Sequence, residues 1–128
     1  MEFKMTEIGF ETTVEYGTLQ ISGNEEHGFR PFQLLVSSVA VCSGGVLRKV
    51  LERMRLPYEN IEVQAKVTRN EKEANRVSAI HLHFIIKGNE LPDEKINKAL
   101  AVTRKNCSMV QSVKDSIHIT ESFEILQA

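Results

Sequence analysis

The chain has 128 residues, the size of one domain, and sets 16 Lys plus Arg against 17 Asp plus Glu, a formal net charge of −1. Such a balance gives no basic field to gather a phosphate backbone or acidic lipid, which disfavours nucleic-acid and membrane partners. With 41% apolar and 26% charged residues the composition is globular, and two cysteines are too few for a secreted disulfide framework or a zinc site built from thiolates. Residues 1–128 are read as a single domain. Met1-Glu2-Phe3-Lys4-Met5 lacks the apolar run of a signal peptide, so a cytoplasmic location is expected.

The first 22 residues read as short strands, with Phe10–Tyr16 and Leu19–Ser22 flanking a turn at Gly17-Thr18, followed by a polar loop over residues 23–28. Pro31 suits the first turn of a helix, and the spacing predicts one from there to about Arg55. No charge occurs from Pro31 to Leu47. Those 17 residues contain Gln33, three serines and two glycines, too short and too polar for a bilayer span. A helix without a charged face must be buried all round. One chain of this length has little material to wrap it, so a homodimer is expected, with Gly44-Gly45 allowing close approach of the partner's helix.

Period-two alternation then marks half-buried strands over Ile61–Thr68 and Ile80–Lys87, joined by a hairpin through residues 70–75. Leu91-Pro92-Asp93-Glu94 opens a second helix, whose acidic start favours its N-terminus and whose Ile96, Leu100 and Thr103 share a face toward Cys107. A short helix over Ser108–Val113 and a last strand over Ile117–Ile125 follow. The order is βββ-α-ββ-α-β, an α+β plan with an antiparallel-rich sheet packed on a long buried central helix.

Candidate chemistry is sparse. His81 and His83 share a strand face at a spacing legal for a metal pair, but no further ligand lies close in sequence, and the expectation is solvated surface histidines and no metal. His27 and His118 carry no recognisable spacing. Nucleotide-loop and nucleophile-elbow motifs are absent, so no cofactor is expected. Cys42, mid-helix, is by default a small buried hydrophobe. Against that stands Cys107, which approaches Cys42 if the second helix packs on the first. A reactive thiol needs a helix N-terminus or a cation. Cys42 lies about three turns into its own helix, beyond the reach of that helix's dipole, so a basic side chain from elsewhere is expected, and without one burial raises its pKa.

Pro31-Phe32-Gln33-Leu34-Leu35-Val36-Ser37-Ser38-Val39-Ala40-Val41-Cys42 resembles the Pro-x-x-Leu…Ala-x-Cys central helix of the OsmC/Ohr family of organic hydroperoxide reductases and osmotically induced proteins. Asn106-Cys107-Ser108-Met109-Val110 is similar to its second-cysteine motif, 65 residues on, and the element order matches across essentially the whole chain. The resemblance implies an intertwined homodimer with sheets wrapped around paired central helices. It implies Cys42 as the peroxidatic and Cys107 as the resolving thiol, small organic hydroperoxides as substrates, an apolar pocket of Phe and Leu side chains including Phe32, and an external dithiol reductant, typically a lipoylated protein.

Two departures stand out. Where the family places a catalytic carboxylate this chain has Phe32 and Gln33, and no arginine precedes Arg30, although the family's thiolate-stabilising arginine comes from the N-terminal strands. Arg30 is the stand-in, with Gln33 able to hydrogen-bond it. The departures leave open a weakened peroxidase, a non-catalytic dimeric module binding a small apolar ligand, and a thiol redox sensor.

Overall fold

Two strand hairpins and a buried helical stripe organise the chain, seen here in a computed structural model that describes residues 1–128. The elements run β1 (Lys4–Met5), β2 (Phe10–Thr13), β3 (Thr18–Ile21), α1 (Pro31–Arg53), β4 (Tyr58–Asn70), β5 (Arg76–Gly88), α2 (Asp93–Asn106), α3 (Ser108–Val113) and β6 (His118–Leu126). Helix α1 starts at Pro31 as expected, and α3 has the bounds its sequence suggested. The chain divides into two compact units, Met1–Ser37 and Ser38–Ala128.

In the first unit β1, β2 and β3 pair antiparallel, with Phe10 opposite Ile21 and Thr13 opposite Thr18. The turn falls over residues 14–17 rather than at Gly17-Thr18. Val14 and Gly17 exchange reciprocal backbone bonds of 3.0 and 3.1 Å there, which ends β2 early and lets Thr18 pair. Side chains tie the unit further: Thr12 Oγ1 donates to the Glu2 carbonyl at 2.7 Å and Ser22 Oγ to that of Ile8 at 2.9 Å. Phe3, Met5, Ile8, Phe10 and Phe29 stay exposed.

In the second unit β4 and β5 form a long antiparallel hairpin from Ile61 opposite Ile86 to Asn70 opposite Arg76. Strand β6 joins β5 in parallel, from Ala79 opposite His118 to Lys87 opposite Leu126. The single sheet expected from the sequence is therefore two three-stranded sheets, one of them mixed. Alternation reports which face of a strand is buried, not its partner. A parallel pair needs a long crossover, and α2 with α3 supplies it between β5 and β6. Ile80, Leu82, Phe84 and Ile86 of β5, Ile96 and Ala99 of α2, and Val110 of α3 are fully buried, each such large side chain worth about 1.5–3 kcal/mol of burial.

Helix α1 is covered only in part by its own chain, as its length and lack of charge implied. It is not buried all round: Val39, Ser43, Gly44, Leu47, Val50 and Leu51 are buried, while Val41 is 73% exposed. Lack of charge marked the helix as apolar, but its small residues let one stripe pack and leave the other open. By length and composition alone α1 could cross a bilayer. Its buried stripe is instead that of a core helix. Gly44 has its reason inside the chain, because a Cβ there would sit 3.1 Å from Val63 Cγ2 of β4, whereas a Cβ on Gly45 would meet nothing.

Helix α2 begins with Asp93 and Glu94 and ends with Arg104 and Lys105, charges matched to its dipole. Cys107, with φ −83° and ψ 107°, is extended and breaks the path between α2 and α3. The carbonyls left at the break are taken up locally, as Gln111 Nε2 donates to the Arg104 carbonyl at 2.9 Å and the Gln111 N–H to that of Cys107 at 3.0 Å. Arg104 Nη1 ties this end of α2 to β6, donating to the Ile119 carbonyl at 3.0 Å and to Glu121 at 2.7 Å.

Candidate active site

Cys42 lies half-buried in α1 and Cys107 fully buried at the α2–α3 break, and both are free thiols. The two thiols are close enough for each to shift the other's ionisation. Packing has thus brought together the pair that the sequence left 65 residues apart. The first residues of α3 complete the cluster. Ser108 Oγ lies 3.7 Å from Cys42 Sγ, and the backbone N–H groups of Ser108 and Met109 also donate to that sulfur.

These contacts set the two thiols apart. Burial pushes Cys42 up, but donation from the Met109 N–H, the Cys107 thiol and both the hydroxyl and N–H of Ser108 outweighs it, leaving Cys42 below the ordinary thiol value. For Cys107, burial dominates and the neighbouring Cys42 adds to it, so its pKa rises despite the Val110 and Met109 N–H groups. One member of the pair is biased toward the thiolate and the other toward the thiol.

The expectation that burial without a cation raises the Cys42 pKa is corrected here. Its own helix dipole is indeed of no use, but the start of a second helix serves instead, with neutral donors aimed at the sulfur.

The other candidates belong to the first unit. Arg30 Nη1 is 3.3 Å from Glu25 Oε2, and its guanidinium stacks 4.7 Å from the Phe32 ring centroid. Gln33 is exposed, and its backbone N–H donates to the Arg30 carbonyl at 3.0 Å. Arg30 thus takes Glu25 and Phe32 as side-chain partners, rather than the Gln33 amide expected of it.

His81 and His83 are not simply solvated. His81 Nδ1 lies 2.6 Å from Thr120 Oγ1, Ser122 Oγ lies 2.7 Å from both His81 Nε2 and His83 Nδ1, and His83 Nε2 is 3.2 Å from Glu124. The parallel register of β6, invisible in the sequence, creates this polar ladder. No group of three or more His, Cys, Asp or Glu residues is arranged to hold a metal.

Comparison with known proteins settles the family. A family model described as OsmC-like protein matches residues 23–122, a stretch holding both cysteines. The chain belongs to the OsmC-like family. Among curated relatives of this OsmC-like chain, Protein YhfA of Escherichia coli K12 is 26% identical over 99 residues, covering 77% of this chain and 74% of that protein. Among solved structures, a hypothetical protein from Aquifex aeolicus VF5 superposes with a TM-score of 0.87 at 22% identity, covering 99% of this chain and 95% of that one. An organic hydroperoxide resistance protein OsmC from Legionella pneumophila gives 0.74 at 15% identity, covering 97% of each chain. These likenesses establish the α+β OsmC-like fold.

Proposed function

We propose that this OsmC-like protein reduces small organic hydroperoxides with Cys42 as the peroxidatic and Cys107 as the resolving thiol. The observation that carries the reading is the contact between two free thiols of opposite bias, Cys42 pushed toward thiolate and Cys107 held as thiol. The Cys42 thiolate attacks the terminal peroxide oxygen, the O–O bond breaks, and an alkoxide leaves and takes a proton, giving Cys42 sulfenic acid and an alcohol. The Cys107 sulfur then displaces the sulfenic oxygen as water and forms the disulfide, while its own proton is released to that water. An external dithiol, of the lipoyl type in the family reading, supplies two electrons to reopen it. No metal or cofactor takes part.

The active form is a cytoplasmic homodimer in this reading. The open stripe of α1 supports it: a groove of about 380 Å³ runs along Ala40, Val41, Gly44, Gly45 and Arg48 beside Ile61 and Val63, apolar enough to receive a partner's helix. The exposed Phe3, Met5 and Phe10 of the first unit add apolar surface that a monomer leaves in water. The rival reading, a non-catalytic binding module, calls for a Cys42 thiol kept protonated by burial, and the donors around its sulfur argue against that.

The test is direct. Mixing reduced protein with cumene hydroperoxide should consume peroxide and one pair of thiols and leave an intramolecular disulfide. Unchanged thiols at micromolar protein would overturn the peroxidase, and oxidation without recycling by any added dithiol would favour a redox sensor.

A further inference from the structure

The thiol cluster contains a group to which the two-cysteine chemistry gives no role. Ser108 Oγ lies 3.7 Å from Cys42 Sγ, and the two neighbouring residues approach that sulfur from different surroundings: Cys107 is fully buried and Ser108 is exposed. On the side of Cys42 that is open to water in the single chain, the group beside the sulfur is the Ser108 hydroxyl. Other protons at the sulfur are committed. In the peroxidase reading the Cys107 thiol is the resolving nucleophile, and the backbone N–H groups of Ser108 and Met109 lower the Cys42 pKa from main-chain positions that cannot turn toward a ligand. The hydroxyl alone can rotate away from the sulfur while keeping its oxygen in place. The Ser108 carbonyl accepts Ser112 Oγ at 2.7 Å, which anchors the turn that presents this hydroxyl.

We propose that Ser108 is a further catalytic residue of this site, its hydroxyl donating to the departing oxygen of the peroxide as Cys42 attacks. This rests on the peroxidase reading above. In the step, the Cys42 sulfur forms its bond to the terminal peroxide oxygen and the O–O bond breaks. The electron pair goes to the alkoxide, which takes the Ser108 proton, and Ser108 regains a proton from water on its exposed side. Sulfur is oxidised by two electrons and the peroxide is reduced by two. The hydroxyl thus meets the negative charge that develops on the leaving oxygen, a place where fixed donors are commonly effective. It takes up work that no carboxylate or arginine is placed to do in this cluster's own contacts.

The experiment compares the wild type with Ser108→Ala and Ser108→Thr. For each, the second-order rate constants of Cys42 with cumene hydroperoxide and with iodoacetamide are followed across pH. Alkylation reads thiolate formation alone, since its leaving iodide needs no proton. On the high-pH plateau, where Cys42 is ionised in every variant, Ser108→Ala should match wild type in alkylation yet reduce peroxide at least about tenfold more slowly. Ser108→Thr, which keeps a hydroxyl, should recover most of the rate. Equal losses in both reactions, or no loss in either, would overturn the proposed role. A wild type that is alkylated but consumes no peroxide would instead overturn the peroxidase reading, and the role of Ser108 with it, so the two failures are told apart.

Discussion

The start of α1 and the α2–α3 junction are both helix beginnings that carry family motifs, yet they handle charge in opposite ways. At the start of α1 stands a true cation, Arg30, paired with Glu25 at 3.3 Å and stacked on Phe32 at 4.7 Å. At the junction no cation contributes to the Cys42 shift, but two N–H groups, a hydroxyl and a thiol converge on its sulfur and lower its pKa against the effect of burial. What matters to a thiolate is a donor in contact, because helix-end and hydrogen-bond effects fade within a turn while an exposed ion pair is screened. A neutral cluster at contact can therefore replace a formal charge.

The comparison is broken most severely by removing the sulfur the junction serves. Cys42→Ser should abolish peroxide consumption. Cys107→Ser should permit one turnover per site and then hold Cys42 as a sulfenic acid, which dimedone trapping with mass spectrometry would detect. Next in size is Ser108→Pro. Proline suits the first position of α3, and Cys107 before it is already extended, so the fold should survive. The change deletes both a hydroxyl and an N–H donor at Cys42. At about 1 kcal/mol each, these losses should slow alkylation at neutral pH by ~30-fold, with recovery toward the wild-type rate at high pH.

Selectivity between the thiols is a milder test. Cys42 is lowered and Cys107 raised, so limiting iodoacetamide at neutral pH should label Cys42 first, and the rate should climb with pH and level off once Cys42 is ionised. Linkage gives the matching stability signs. Cys42 contributes stability that is present above its unfolded pKa and lost as pH falls through its lower folded value, while Cys107 contributes stability that is lost as pH rises through its raised one. The smallest effect is expected from Arg30→Ala, which should change Cys42 alkylation by less than about twofold, since its loss removes a partly exposed pair with Glu25. A larger drop would return Arg30 to the role of thiolate cation.

How much could be read in advance varied by element. Pro31 marked the start of α1, and a short helix over Ser108–Val113 could be read after the second helix, because helix starts are signalled over a few positions. The thiol pair could be named as candidates from residue type and motif. Its electrostatics could not, because they depend on which N–H groups of α3 meet a sulfur 66 or more positions earlier. The same limit explains His81 and His83. Their alternation placed them correctly on the face opposite the apolar stripe, but Thr120, Ser122 and Glu124 reached them only through a parallel pairing of β5 with β6. Alternation is a property of one strand, whereas register is a property of two.

The sequence by itself determined the element order, the apolar character of α1 and the identity of the reactive candidates, since periodicity, capping and residue chemistry act over a few positions. Tertiary structure alone decided that α1 is buried along one stripe, that Gly44 yields its space to Val63, and that Cys42 ionises ahead of Cys107. Burial and hydrogen-bond donation are set by distant segments brought into contact, and at contact range a neutral N–H or hydroxyl can do for a thiolate what the missing arginine does not.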